Sequence, residues 1–181
     1  MNDIQKSYLE KNIIVIKGDI NGITVLYIEE ALSMLYVKKS PDIFILISSA
    51  GGSVEAGLDI VDLLSLYPGK KTAIVTKEAR SMAAVIIQVC DERRATPHST
   101  IMIHHIRRRI TLDVLRDKKK RSAFLNEMEK TQEKIYKILA QKTKKQIKDI
   151  SGECKKERNM TVNEAIEFGL IDMIQTASLP K

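Results

Sequence analysis

The sequence predicts an α/β domain built on a parallel sheet, and three observations carry that prediction. Short β-branched and apolar runs recur along the first hundred positions, segments of helical spacing lie between them, and glycine or proline marks the junctions. NIIVIKG, at 12–18, ends in glycine and reads as the first strand. From Ile23 to Lys38, the residues Val25, Ile28, Leu32, Leu35 and Tyr36 recur at helical spacing. Pro41 ends that helix, and DIFILISS at 42–49 is a continuous apolar run of the kind buried in a parallel sheet. AGGS turns the chain into a helix over 54–66, with Leu58, Val61, Leu64 and Leu66 on or near one face. PGK makes the next turn, and KTAIVT at 71–76 is a third strand. A helix over 81–89 follows, then the turn TPHS and a fourth strand, TIMIHHI at 100–106. Such alternation implies βαβ units with right-handed crossovers. Beyond it, 111–148 is a long Lys- and Glu-rich helical stretch with Phe124, Met128, Ile135, Ile138 and Leu139 at spaced positions. VNEAIEFGLIDMI at 162–174 reads as a helix, a Gly169 cap and a short strand. Neither a repeat nor a linker interrupts the chain, so one domain is expected over 1–181.

Composition narrows the function classes. With 44% apolar residues in 181 positions, the chain is of globular type and long enough for a real core. No apolar run approaches the roughly 18 residues that cross a bilayer, and the polar start MNDIQKSYLEKN is unlike a secretory signal. Cys90 and Cys154, the only cysteines, have no metal-ligand spacing around them, so a reduced, disulfide-free cytoplasmic protein is expected. The net charge of +7 is local: IRRRITLDVLRDKKKR at 106–121 holds eight basic and two acidic side chains. With only 4% aromatics and no base-stacking motif, this patch reads as solvated surface rather than a nucleic-acid site.

Candidate chemistry gathers at the carboxyl ends of the expected strands. Gly51 and Gly52 could expose N–H groups beside a helix N-terminus as an anion or oxyanion site, or could simply allow a tight turn. The surrounding text matches neither GxGxxG nor GxxxxGK[ST]. Ser81 begins a helix, either as its N-cap or as a nucleophile, without the GxSxG elbow. His104 and His105 close the fourth strand, where a histidine can act as a base or can finish the strand as a polar residue. A carboxylate to orient the base would come from Asp149, Glu153 or Glu157, and local sequence does not choose among them.

In this order, ISSAGGSVEAGLDI, ARSMAA, TPHSTIMIH and NEAIEFGLID resemble the motifs of the Clp protease proteolytic subunits, which are self-compartmentalising serine peptidases; the resemblance spans residues 12–174. It implies Ser81 as nucleophile and His104, not His105, as general base. It also implies an oxyanion hole from the N–H groups of Gly52 and Met82, with Glu157 at the orienting acid's position. Gly51, Ser53, Val54, Arg107 and Arg109 would touch substrate. The implied fold is crotonase-like, of repeated β-β-α units, with a helical handle protruding over about 105–150. The resemblance further implies a homo-oligomer of heptameric rings that can stack as a tetradecamer, a peptide or unfolded-protein substrate, an AAA+ ATPase unfoldase as partner, and no metal or bound cofactor.

The sequence departs from the family text in four places. Glu157 stands where the family has aspartate, and HIRRRITLD replaces a histidine followed by QP and a glycine-rich strand. Arg80 replaces a small residue, while Ala50 and Ala83 replace proline and glycine. The stretch before the first strand is about a dozen residues, implying axial loops that are shortened or missing. The expected function is therefore a serine endopeptidase working through an acyl-enzyme. The alternative is a catalytically weak or inactive subunit that is structural within a ring. A crotonase-type acyl-CoA enzyme would share the fold but leaves Ser81 and His104 unexplained.

Overall fold

The computed structural model describes residues 1–178; the last three positions of the domain expected over 1–181 lie outside the described residues. A capped helix, α1 (Asp3–Glu10), leads into β1 (Ile13–Lys17). Then come α2 (Gly22–Val37), β2 (Ile43–Ser49), α3 (Val54–Leu66) and β3 (Lys71–Arg80). The starts of α2 and α3 are fixed by side chains: Asn21 accepts from the N–H groups of Ile23 and Thr24, and Ser53 from that of Ala56. Short α4 (Met82–Ile86) tightens into a 3₁₀ turn, Ile87–Val89, before β4 (Glu92–Ala95) and β5 (Thr100–Met102). The second half is helical: α5 (Leu112–Arg116), α6 (Lys118–Thr143), α7 (Ile147–Lys156) and α8 (Val162–Phe168), closed by β6 (Met173–Ile174). Gly169 ends α8 at φ 92°, the left-handed cap expected of it.

All strand pairs of the six-stranded sheet are parallel, in the order β1-β2-β3-β4-β6, with β5 also on β3. The long β3 serves two neighbours in turn. Its first half, Thr72–Val75, pairs with β4, and its last residues, Glu78–Arg80, pair with β5. Ile14, Ile16, Ile45, Ile47, Ala73 and Val75 from the strands pack with Ile28, Leu35, Ile60 and Leu64 from α2 and α3 in the core. Ile135 and Leu139 of α6 join the same core. Among the described residues no helix is long and apolar enough to cross a membrane.

Several expectations are corrected. DIFILISS is not buried on both faces: Ile43, Ile45, Ile47 and Ser49 are buried, whereas Phe44, Leu46 and Ser48 are half-exposed. Leu66 is 75% exposed, since it lies at the last position of α3, beyond the packed face. The fourth strand stops at Met102 rather than reaching Ile106. Its partner β3 ends at Arg80, opposite Met102, so no strand edge remains for residues 103 onward. The helical stretch expected over 111–148 is divided among α5, α6 and the start of α7. Finally, β4 was not anticipated. Its sequence, ERRA, carries three charges and no apolar run, yet Arg93 is buried. Its guanidinium bonds the Asp172 carboxylate, Gln88 Oε1 and the Gly169 carbonyl, so polar groups replace apolar contacts there.

Candidate active site

Ser81 occupies the hinge between β3 and α4 at φ 54° and ψ −126°, a conformation that non-glycine residues rarely hold. Its N–H donates to the Met102 carbonyl (2.8 Å), tying the end of β3 to the end of β5. Although Ser81 is in the N-cap position, its side chain caps nothing. Its Oγ lies 2.9 Å from His104 Nε2 instead. In the imidazole tautomer protonated at Nδ1, Nε2 accepts the hydroxyl proton. Two parallel strands, paired up to Arg80 and Met102, thus deliver the two side chains to one spot.

The glycine turn closes on this point from the end of β2. A Cβ on Gly51 would stand 2.7 Å from Ser81 Cβ, and one on Gly52 would stand 2.1 Å from the Ile20 carbonyl oxygen. Both glycines have positive φ, 105° and 156°, so the close approach and the backbone path each require them. Gly52 and Met82 line one cleft with Ser81 and His104. The Met82 N–H, first in α4, has no place in the intrahelical ladder and is free to donate. The cleft encloses about 230 Å³, and Val54, Val85, Ile103, Ile106, Ile135 and Leu139 form its apolar wall.

The segment after β5 owes its path to side chains. Ile106 N–H donates to Gln132 Oε1 of α6 (2.7 Å). Arg108 bridges Glu127 of α6 (2.8 Å) and Glu55 at the start of α3. Arg107 lines the cleft and binds Glu157, whereas Arg109 is exposed and lies outside the cleft wall. Residues 103–111 form no strand, so no strand alternation sets the directions of Arg107 and Arg109. Of the other expected substrate contacts, Val54 lines the cleft. Gly51 is buried behind Ser81, and the Ser53 hydroxyl is engaged by Glu55 and the Ala56 N–H.

The orienting acid is where expectation and geometry part. Glu157 makes no hydrogen bond to His104, because its carboxylate is taken by Arg107. Glu153 is buried against Lys156 (2.6 Å) and Arg158 (3.3 Å), and Asp149 is exposed on α7. Beyond a weak interaction of the ring with the His105 backbone, His104 Nδ1 is buried with no hydrogen-bond partner among the described residues. His105 points elsewhere, with its ring edge-on to Tyr136 at 6.2 Å. Burial pushes the His104 imidazole below its ordinary value, and the Arg107 charge pushes it further in the same direction. The hydrogen bond from Arg107 holds the Glu157 carboxyl below its usual range.

Gln132, the Arg107–Glu157 pair and, apart from Val54, the apolar wall escaped the sequence reading. Ile135 and Leu139 carried only the signal of their i,i+4 spacing, which marks an apolar helix face and not a cleft wall. Among the described residues, no three His, Cys, Asp or Glu side chains cluster so as to hold a metal ion.

A profile of the Clp protease family matches residues 1–178. An ATP-dependent Clp protease proteolytic subunit of Ligilactobacillus salivarius (strain UCC118) is 32% identical over 176 residues, covering 95% of this chain and 87% of the relative. A protein of the same description from Oltmannsiellopsis viridis is 30% identical over 152 residues, covering 80% of this chain and 74% of the relative.

Proposed function

The chain belongs to the Clp protease family, and on that premise we propose that it hydrolyses peptide bonds with Ser81 as nucleophile and His104 as general base. The observation that carries this reading is the 2.9 Å contact between Ser81 Oγ and His104 Nε2 at the mouth of an apolar cleft. A serine hydroxyl is a weak nucleophile until an imidazole removes its proton. As Oγ attacks the peptide carbonyl, Nε2 takes that proton, and charge gathers on the carbonyl oxygen. The N–H groups of Gly52 and Met82 are the donors for this oxyanion; losing one such donor ordinarily costs about 10²–10³ in rate. His104 then gives its proton to the leaving amine, and water completes the cycle by attacking the acyl-enzyme.

Peptides or unfolded proteins are the substrates in this reading. The chain works as a homo-oligomer of heptameric rings, with an AAA+ ATPase unfoldase as partner; the relatives' description as ATP-dependent proteolytic subunits supports that partnership. A second reading, a catalytically weak ring subunit, is favoured by one observation: His104 Nδ1 has no acid to orient it, since Arg107 holds Glu157. Treatment of the purified protein with a fluorophosphonate separates the two. Fast, stoichiometric labelling that disappears in Ser81→Ala and His104→Ala is expected. Absence of labelling in the wild-type protein would leave the structural reading standing.

A further inference from the structure

Three features near the cleft have no role in the reaction as described: the unpartnered Nδ1 of His104, the guanidinium of Arg107 in the cleft wall, and the carboxylate of Glu157 that binds it. A buried N–H without an acceptor is costly and calls for an explanation. Three carboxylates on or after α7 could supply one. Asp149 is exposed and bonds nothing near the cleft, and Glu153 is buried with two cations already on it. Glu157 has one cation, in an exposed pair with side chains 67% and 43% accessible, so its partner can leave at little cost. Its charge already acts on the His104 ring. Glu157 also caps the end of α7 at φ 48°, which places it at the turn that leaves that helix rather than within its hydrogen-bonded body.

Resting on the assignment of Ser81 and His104 above, we propose that Arg107 and Glu157 form an exchangeable pair through which the substrate completes the site. Arg107 is a positioning and specificity residue: it holds Glu157 away from His104 until an acidic side chain of the bound peptide takes the guanidinium. Glu157, released, then accepts a hydrogen bond from the Nδ1–H of His104 and fixes the ring for proton transfer. The favoured substrate class is peptides with Asp or Glu beside the cleaved bond. Neutral peptides are cut slowly because they leave the pair closed. Arg108 does not compete for the acidic group, since Glu55 and Glu127 already bind it.

Two readouts test this, one of turnover and one of the ring itself. Fluorogenic peptides that differ only in Glu, Gln or Leu at the residue giving the scissile carbonyl are compared for kcat and KM. The wild type is expected to favour Glu over Gln about threefold, the size of an exposed charge pair. Arg107→Gln should erase that preference and raise kcat on the Leu peptide by about tenfold, a fraction of what an orienting carboxylate supplies. In a Glu157→Gln background the same change should gain nothing. By proton NMR, a strongly downfield Nδ1–H signal from His104 should appear in Arg107→Gln and be missing from the wild type and the double variant. A gain that survives without Glu157, or no new signal in Arg107→Gln, overturns the exchange. If the signal appears as expected while no variant hydrolyses peptide or reacts with fluorophosphonate, the exchange stands and the peptidase assignment falls.

Discussion

At Ser81 the backbone sits at φ 54° and ψ −126°, a placement that costs an ordinary residue about 1–3 kcal/mol. The surrounding structure enforces it through the Met102 carbonyl and the Gly51 turn, and the result is a hydroxyl turned from the helix end toward His104. In the proposed mechanism His104 must be neutral to take the Ser81 proton. Because burial and then Arg107 lower the His104 pKa, kcat/KM should hold through neutral pH and fall as pH drops through a midpoint below 6.5. The charges facing this ring are Arg107, Arg80 and Glu157, and removing the first should move that midpoint upward. A pH profile of wild type and Arg107→Gln checks both statements; a wild-type midpoint above 6.5 contradicts them. Ser81 and His104 were legible because each lies in a motif of fixed order along the chain. The tie between Arg107 and Glu157 was not, since it joins positions 50 apart and depends on where α7 ends in space.

Among the elements, the parallel strands and their crossover helices were readable from apolar runs and caps, and α3 begins and ends where its spacing placed it. Two strands were misjudged for opposite reasons. In β4 a buried arginine network replaces the apolar signal, and in the histidine segment the apolar signal continues after the neighbouring strand has stopped. Local sequence does not contain the length of a partner strand. The turn between β2 and α3 gives a sharper test of how elements set the site. A methyl group at Gly52 would meet the Ile20 carbonyl, so Gly52→Ala must separate the bridge between Ile20 and Gly52 or shift the turn. Thermal unfolding should show a loss of roughly 2 kcal/mol or more. Turnover should fall about a hundredfold or more as the proposed oxyanion donor moves. A variant with wild-type stability and kcat would mean the turn is not the rigid cradle described.

At the scale of the whole molecule, charge and packing distribute differently from the sequence impression. The basic run at 106–121 is largely solvent-exposed as its composition implies, but within it Arg107 and Arg108 are paired with Glu157, Glu55 and Glu127, which come from three separate parts of the chain. These pairs fasten the segment after His104 to α3 and α6, while Ile135 and Leu139 carry α6 into the core as well as into the cleft wall. The helix expected to protrude as a handle is thus also a structural part of the site at its inner end.

The Ser81 N–H bonded to the Met102 carbonyl makes one amide a reporter for the whole arrangement. That single bond follows the last rung between β3 and β5, so it opens when the strand ends that carry Ser81 and His104 part. Its hydrogen–deuterium exchange should therefore be slow in the competent protein and quicken in step with lost fluorophosphonate reactivity as denaturant is added below the unfolding transition. If reactivity vanishes while that amide stays protected, the two ends of the strands fail for a reason other than parting. If they move together, exchange at one position measures how much of the population is armed, without any substrate at all.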